Sequence, residues 1–328
     1  MKNILSTLIT VMLLIPSMAL SQQTDLDTVR LFYLGGQSNM DGYGYNSELP
    51  DELNKTFEHV QIYHGNPAGD DQTNGGLGLW EELRPGHGTG FSSDGKENQL
   101  FDRFGVELSF AQKLQELYPN DEIALIKYSR GGTSIDSVAA EDFGCWEPDY
   151  RGKKGINQYD HFLKTVRHAM AVKDIDGDGR EEHRVPSGII WMQGESDAHV
   201  EAIAKRYYNN LKRLMDLMRA VFHVDDLPVV IGKISDSWDD DDGKVWDYGE
   251  LVQYAQEKFA RTDECAAIVR TTRYYDYSDT WHYDSEGFID LGKQFAEAVF
   301  RLNEGTKERR HERTRARRHD CTKERWSD

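Results

Sequence analysis

Short apolar runs alternate with amphipathic segments along most of the chain. The apolar runs predict strands at residues 29–34, 123–128, 187–192, 229–234 and 267–271. Apolar residues at helical spacing predict helices at about 103–118, 159–172, 199–222, 248–261 and 287–303. Repeated strand–helix units predict an α/β fold with a parallel sheet and right-handed crossovers. In such a sheet, ligands bind beyond the carboxyl ends of the strands.

The first 21 residues have the pattern of a secretory signal peptide. Lys2 supplies a positive charge, residues 4–20 are largely apolar, and small residues at 19 and 21 predict cleavage before Gln22. A membrane anchor is the alternative, but the apolar run is short for a membrane span. We therefore expect a secreted or periplasmic protein that has no membrane association after cleavage.

Two further segments differ from the strand–helix pattern and divide the chain. Residues 41–102 are rich in Gly, Asn and Asp, and a loop of this length inside a compact domain is usually functional or disordered. Residues 305–328 are strongly basic and almost free of apolar side chains, which predicts a disordered tail or a solvated helix extension. One domain is thus expected over residues 22–304.

The net charge of the whole chain is −18, from 39 Lys and Arg against 57 Asp and Glu. An acidic surface repels nucleic acids and anionic membranes, so neither is expected as a partner. The charge suits a secreted enzyme that acts on neutral sugars.

The chemistry is concentrated in four segments, each at or near the end of an element. Residues 36–40 read Gly-Gln-Ser-Asn-Met and follow the first apolar run directly. They differ from the Gly-x-Ser-x-Gly nucleophile elbow, because Met40 occupies the last position. Residues 129–133, 191–197 and 279–282 add a glycine pair, a side-chain amide and an Asp/His pair. Together these groups are the inventory for acyl transfer from a serine.

Each reactive group has a candidate role. Ser38 is the nucleophile, and His282 is the base that takes its proton. Asp279, three residues earlier, is positioned to hold the other imidazole nitrogen. The backbone N–H groups of Ser38 and Gly132 are candidate donors to the oxyanion of the tetrahedral intermediate. No metal or other cofactor is required for this reaction.

Residues 28–303 resemble the SGNH (GDSL-like) hydrolases, because the four segments occur in the order that this family has. The resemblance is to the carbohydrate acetylesterase branch, which includes sialate O-acetylesterases and family 6 acetylxylan esterases. It implies a flavodoxin-like, three-layer α/β/α sandwich with a mainly parallel five-stranded sheet. It also implies that the side-chain amide of Gln193 is a third oxyanion donor. Glu195 either orients His282 in place of Asp279 or supports the site from behind.

The resemblance also suggests which residues meet the substrate. It makes the segment 41–102 a substrate-binding rim, in which Trp80, Tyr63, Phe91 and His64 are candidates to face a sugar. A buried anchor for the loop is the alternative for each of them. Arg130 is expected to contact substrate or to form an ion pair. Asn39 is a candidate for substrate binding, although its position favours tying down the nucleophile turn.

A separate acidic segment suggests a calcium site. Residues 174–179 fit the first half of an EF-hand loop, with Asp174, Asp176 and Asp178 as candidate ligands. The twelfth position is Val185, so the usual bidentate glutamate is missing and Glu181, Glu182 or a more distant side chain would have to replace it. An acidic solvated turn is the alternative. Any calcium here would be structural.

The sequence therefore predicts a secreted serine esterase that removes O-acetyl groups from an oligo- or polysaccharide. Both an acetylated xylan and an O-acetyl sialic acid remain open as substrates. The alternative is a catalytically silent carbohydrate-binding protein on the same fold, but the presence of every reactive residue type favours the enzyme.

Overall fold

The computed structural model describes residues 28–152, 155–241 and 243–324, with side chains up to residue 306. The predicted signal peptide and its cleavage position lie outside the described residues. Among the described residues, no helix combines the length and the apolar character that a membrane span needs.

The described chain alternates strands and helices from its first residue onward. Its strands are β1 (Thr28–Gly36), β2 (Gly44–Tyr45), β3 (Val60–His64), β4 (Trp80–Glu82), β5 (Ser92–Ser93), β6 (Asn98–Gln99), β7 (Arg103–Phe104), β8 (Glu122–Ser129), β9 (His183–Met192), β10 (Val229–Gly232) and β11 (Ala266–Val269). Its α-helices are α1 (Ser38–Asp41), α2 (Glu107–Leu117), α3 (Gln158–Ala171), α4 (Glu201–Ala204), α5 (Tyr207–Val221), α6 (Gly249–Thr262) and α7 (Ser285–Glu324). The predicted α/β class is confirmed.

The central sheet has seven strands in the order β11-β10-β9-β1-β8-β3-β4. All neighbouring pairs are parallel except β3 and β4, which are antiparallel. The expectation of five strands was therefore wrong. The five predicted strands are present, and the two additional ones come from the segment 41–102, which is not one continuous loop.

The additional strands form because this segment buries apolar side chains against the sheet. All five residues of β3 are buried, and the strand pairs with β8 from Val60 to His64. Trp80 of β4 packs edge-on against the ring of Tyr63. The run is short and lies in a stretch rich in Gly and Asn, so its strand character was masked in the sequence.

Helices cover both faces of the sheet, as the three-layer prediction requires. Neighbouring side chains of a strand point to opposite faces. Phe32 of β1 contacts Phe110 of α2, whereas Tyr33 contacts Phe162 of α3 on the other side. A Cβ added to Gly188 would overlap Val299, which places α7 on the face of Phe32.

Three helix boundaries differ from those expected. Helix α2 begins at Glu107 instead of 103, because β7 pairs with β2. The helix expected at 199–222 is divided into the short α4 and the longer α5. Helix α7 extends to Glu324 and thus through most of the basic segment, for which the sequence had left a helical extension open beside disorder.

Strands β8, β1 and β9 are neighbours, and the sequence segments with candidate chemistry follow directly from their carboxyl ends. Ser38 follows β1, the pair Gly131 and Gly132 follows β8, and Gln193 follows β9. The parallel sheet thus brings residues that are far apart in sequence to one edge.

Candidate active site

A cavity of about 690 Å³ opens at this edge of the sheet. Ser38, Gly132, Arg130 and His282 all line it. The candidate nucleophile, the candidate base, a candidate donor to the oxyanion and a cation therefore line the same cavity.

Ser38 lies on a tight turn that only glycine permits at its start. Gly36 has φ +146°, and a Cβ there would overlap the carbonyl oxygen of Met192. The N–H of Gln37 donates to that carbonyl at 2.9 Å, which fixes the turn against β9. Ser38 then begins the single helical turn α1 and is 6% exposed. Among the turns, loops and helix caps of the described residues, the backbone N–H of Ser38 donates to no backbone carbonyl.

His282 and Asp279 form a local pair on the loop before α7. Asp279 Oδ2 lies 2.7 Å from His282 Nδ1, and its Oδ1 accepts hydrogen bonds from the N–H groups of Trp281 and His282, both at 2.8 Å. This arrangement fixes the ring so that Nε2 is the nitrogen left for a proton from elsewhere. The predicted short spacing thus places both residues in one turn.

The environment sets the ionisation of this pair. Burial acts to raise the pKa of Asp279, but the hydrogen bonds from His282 and Trp281 outweigh it, and the pKa lies below its ordinary value. Burial lowers the pKa of His282, against the opposing effect of Asp279. At neutral pH the pair is therefore a carboxylate beside a neutral imidazole, which is the state a general base requires.

Within the described residues, the hydroxyl of Ser38 forms no hydrogen bond to His282. Catalytic hydrogen bonds are often long in unliganded sites and shorten when substrate binds. Both side chains line the same cavity. A substrate carbonyl in this cavity would meet both groups.

The glycine pair after β8 closes the other side of the nucleophile. A Cβ on Gly131 would lie 3.3 Å from the Cβ of Ser38, and one on Gly132 would overlap the ring of Phe143. Gly132 also has φ +73°. Backbone can approach the reacting atoms this closely only where the side chain is absent.

Gln193 is not placed as the third oxyanion donor, and this expectation is corrected. Its side chain is fully buried and does not line the cavity. The amide Nε2 donates to Thr133 O at 3.1 Å and to Asp197 Oδ2 at 2.7 Å, so both of its hydrogens are in use. Asp197 also accepts the N–H groups of Ile135 and Asp136. Gln193 thus fixes the loop after β8 from behind.

Glu195 is also turned away from His282. Its Oε1 accepts from Asn39 Nδ2 at 3.0 Å, while Oε2 is buried and has no partner among the described residues. Burial raises the pKa of Glu195. Of the two acids that the sequence offered, Asp279 contacts the imidazole and Glu195 contacts the nucleophile turn.

Asn39 joins the two halves of the site and does not line the cavity. Besides Glu195, its amide Nδ2 donates to Trp281 O at 3.2 Å, and its Oδ1 accepts from Tyr283 N at 3.3 Å. All these contacts are within the protein. The interpretation as a tie for the nucleophile turn agrees with them, whereas the substrate-binding role does not.

Arg130 faces the cavity without an ion-pair partner in the described part of the chain. Its Nε is buried and has no hydrogen-bond partner there. The residue follows β8 directly, and its N–H donates to Gly36 O at 3.2 Å. The guanidinium is thus a candidate to contact a substrate, as the sequence suggested.

Trp80 does not contact the cavity, which corrects its assignment to substrate binding. Its indole Nε1 donates to Ala169 O at 3.0 Å, so it fastens the edge strand β4 to the end of α3. Tyr63 and His64 are buried in β3 and do not line the cavity themselves, although His64 stacks on Phe91. Of the four aromatic candidates in this segment, Phe91 alone lines the cavity.

Sequence reasoning missed a buried lysine below the nucleophile. Lys127 Nζ donates to Asp41 O, to His87 O and to Glu107 Oε2, at 2.7–2.8 Å. Both charged side chains are fully buried. A lysine inside the apolar run 123–128 was the available signal, because a lysine is seldom buried without a partner.

Sequence reasoning also missed Tyr43, whose ring stacks on His282 and lines the cavity. It lies in the segment interpreted as a substrate rim, and its spacing from Ser38 carried no signal.

The acidic loop 174–182 lies at the other end of the sheet. Carboxylate oxygens of Asp174, Asp176, Asp178 and Glu182 all lie within 4.8 Å of one another. Glu182 was one of the replacements considered for the missing glutamate. The same carboxylates accept hydrogen bonds from backbone N–H groups of the loop, and Asp178 pairs with Arg180. Oxygen ligands of this kind suit calcium, and calcium binding stays a prediction.

Comparison with solved structures shows the same fold at low sequence identity. A protein from Arabidopsis thaliana is 21% identical, with a TM-score of 0.58 over 84% of this chain and 99% of its own. A carbohydrate acetylesterase from Xanthomonas citri is 16% identical, with a TM-score of 0.57 over 84% of this chain and 56% of its own. NanS is 15% identical, with a TM-score of 0.53 over 84% of this chain and 98% of its own.

A comparison with curated proteins gave no match. The profile of one family, described as "Carbohydrate esterase, sialic acid-specific acetylesterase", matches residues 28–301. The match covers the whole sheet and all four segments with candidate chemistry. The chain therefore belongs to this family of carbohydrate esterases, and it is a carboxylic ester hydrolase that acts on O-acetylated carbohydrate.

Proposed function

We propose that the protein is a secreted serine esterase that removes O-acetyl groups from carbohydrate through Ser38, His282 and Asp279. The observation that carries the proposal is the 2.7 Å contact between Asp279 Oδ2 and His282 Nδ1 at the wall of the cavity that Ser38 lines. This contact assigns the tautomer and leaves Nε2 as the proton acceptor.

The reaction proceeds in two acyl-transfer steps. Ser38 Oγ attacks the acetyl carbonyl while His282 Nε2 takes the hydroxyl proton, and the N–H groups of Ser38 and Gly132 bind the oxyanion. The intermediate collapses when the bond to the sugar oxygen breaks and His282 returns the proton to that oxygen. Water then attacks the acetyl-enzyme while His282 Nε2 takes one of its protons. The bond between the acyl carbon and Ser38 Oγ breaks, His282 returns the proton to Oγ, and acetate leaves.

Arg130 supports a substrate that carries a negative charge near the ester. A guanidinium without an ion-pair partner at the cavity wall suits a carboxylate, to which arginine donates two parallel hydrogen bonds. Sialic acids have such a carboxylate, whereas the xylose units of xylan are neutral. We therefore favour an O-acetyl sialic acid over an acetylated xylan.

Secretion is part of the proposal and depends on residues 1–21, whose sequence has the pattern of a signal peptide. Mass measurement of the N-terminus of protein recovered from outside the cytoplasm tests it. A mature chain that starts at Gln22 is expected, and an uncleaved chain in the cytoplasm would contradict it.

The function is tested by acetate release from 4-nitrophenyl acetate, acetylated xylan and O-acetyl sialic acid. Wild-type protein should release acetate, and Ser38→Ala should release none while its melting temperature is unchanged. Arg130→Gln should raise KM for the sialic acid and leave 4-nitrophenyl acetate unaffected. Absence of release by wild type would favour a silent carbohydrate-binding protein, and release by Ser38→Ala would overturn the assignment of Ser38 as the nucleophile.

A further inference from the structure

The imidazole of His282 lies flat against the ring of Tyr43. The ring centroids are 3.5 Å apart, and the two planes differ by 5°. In this geometry the imidazole meets the face of the phenol ring, where the negative part of the aromatic quadrupole lies. A cation at such a face is attracted to it.

The backbone holds Tyr43 in place without help from a ligand. The residue precedes β2, which pairs with β7. Arg103 Nη1 donates to Tyr43 O at 2.8 Å, and the neighbouring Gly42 O accepts from Thr89 N at 2.9 Å. Gly42 also has φ +103° and packs directly on Gly105. The ring is therefore positioned before any substrate arrives.

Several charged groups face His282, with opposing effects. Asp279 favours the imidazolium through its hydrogen bond, whereas Arg103 on β7 opposes it as a like charge. Asp41 of the nucleophile turn lines the same cavity and is close enough to interact with Tyr43. Burial disfavours the charged ring. The Tyr43 face is thus an uncharged group that can favour the imidazolium in a partly dehydrated site.

We propose that Tyr43 is a positioning residue that stabilises the imidazolium of His282 as the Ser38 proton moves to Nε2. The inference rests on the proposed function, because the imidazolium forms only if His282 acts as the base. An interaction that strengthens as the charge develops lowers the barrier, because it is weaker in the ground state. Cation–π contacts of this kind correspond to about 3- to 30-fold in rate.

The test compares Tyr43→Phe with Tyr43→Leu in kcat and in the pH profile of kcat/KM. Phenylalanine keeps the ring face, so kcat should stay within about 3-fold of wild type with the same acid midpoint. Leucine keeps similar bulk over the imidazole but has no aromatic face. It should lower kcat about 10-fold and move the acid midpoint to lower pH, because the imidazolium loses its partner.

A second series guards against misfolding of the leucine variant. Phenylalanines with increasing fluorination at position 43 keep the ring shape while the charge on its face declines. Log kcat should fall steadily along this series at constant melting temperature. A flat series, or a Tyr43→Leu variant that matches Tyr43→Phe in rate and midpoint, would overturn the inference.

The proposed function and the role of Tyr43 fail in different ways. If wild-type protein shows no serine-dependent acetate release, the proposed function itself fails. If wild type is active and the substitutions at Tyr43 have no effect on kcat or the pH profile, only the role of Tyr43 fails.

Discussion

The two halves of the site, the nucleophile turn (residues 36–41) and the base loop (residues 279–282), are stabilised in different ways. The turn is buried and is fixed by contacts from other elements, including Met192 on β9 and Lys127 on β8. The base loop is more exposed, and its main contacts are internal hydrogen bonds to Asp279. Asn39 connects the halves through Trp281.

The same contrast separates the two acids. Glu195 supports the turn and is buried, and burial raises its pKa. Asp279 is partly exposed, and its three hydrogen bonds hold its pKa below the ordinary value against the effect of burial. The pKa values of the two acids are thus shifted in opposite directions, and the acid whose pKa is lowered is the one on the exposed loop. Substitutions of the residues that support the turn, such as Lys127, should mainly cost stability, whereas substitutions of Asp279 or His282 in the loop should mainly cost activity.

The largest stability effect is expected at Lys127. Lys127→Met leaves the carboxylate of Glu107 buried without its cation, and loss of one partner of such a pair costs about 3–5 kcal/mol in the free energy of unfolding. Urea denaturation measures this change. The matched control is Lys113→Met, because Lys113 pairs with Glu116 at the surface of α2 and should have little effect.

The double variant Lys127→Met/Glu107→Leu sharpens this test. Removal of both charges should recover much of the lost stability, because no buried charge remains unpaired. Equal losses in Lys127→Met and Lys113→Met would contradict the view that the turn depends on its buried support.

The pH dependence of activity tests the base loop. Because burial lowers the pKa of His282, the base stays neutral below pH 6.5, and kcat/KM should fall only as the pH drops through this lowered value. Asp41 is the competing group, since burial raises its pKa to about 6 in the same cavity.

Asp41→Asn shows whether His282 or Asp41 causes the loss of kcat/KM at low pH, which is the acid limb of the pH profile. The limb should persist in this variant if it belongs to His282. Loss of the limb in Asp41→Asn would show instead that ionisation in the nucleophile turn controls activity.

The smallest effect is expected from calcium, at the end of the sheet opposite to both halves. If the loop 174–182 binds calcium, the ion should raise the melting temperature without changing kcat. Asp176→Asn should abolish the shift, whereas Asp239→Asn in a different acidic run should retain it. No shift in the wild-type protein would remove the calcium prediction, and a change in kcat would contradict a purely structural role.

The sequence predicted the fold well where apolar runs were long and were followed by candidate reactive residues. Strands β1, β8 and β9 were found. The pairing of His282 with Asp279 was one of two alternatives, beside Glu195, and was considered because three residues of spacing suffice for one turn. Strands β3 and β4 were missed, because short runs in a stretch rich in Gly and Asn resemble loop. The burial of β3 becomes visible only once β8 is present to pair with it, and β4 then pairs with β3 at the edge of the sheet.

The side-chain roles were harder to predict than the segments. Gln193 and Trp80 lie in or near the expected segments, yet each uses its donors on a backbone carbonyl or a buried acid. Residue type and spacing indicate which reactions a side chain can support. The orientation of the side chain depends on which neighbouring groups accept its hydrogen bonds. The stacking of Tyr43 on His282 depends on packing of this kind and had no signature in the sequence.

The most direct test of the central claim compares Asp279→Asn with Glu195→Gln in kcat/KM for acetate release. We expect Asp279→Asn to lose activity by about 10⁴-fold, as expected when an orienting carboxylate is replaced by its amide, with the melting temperature little changed. Glu195→Gln should stay within about 10-fold, because it keeps an oxygen that accepts from Asn39. A large loss in Glu195→Gln with activity retained in Asp279→Asn would contradict the assignment of the triad.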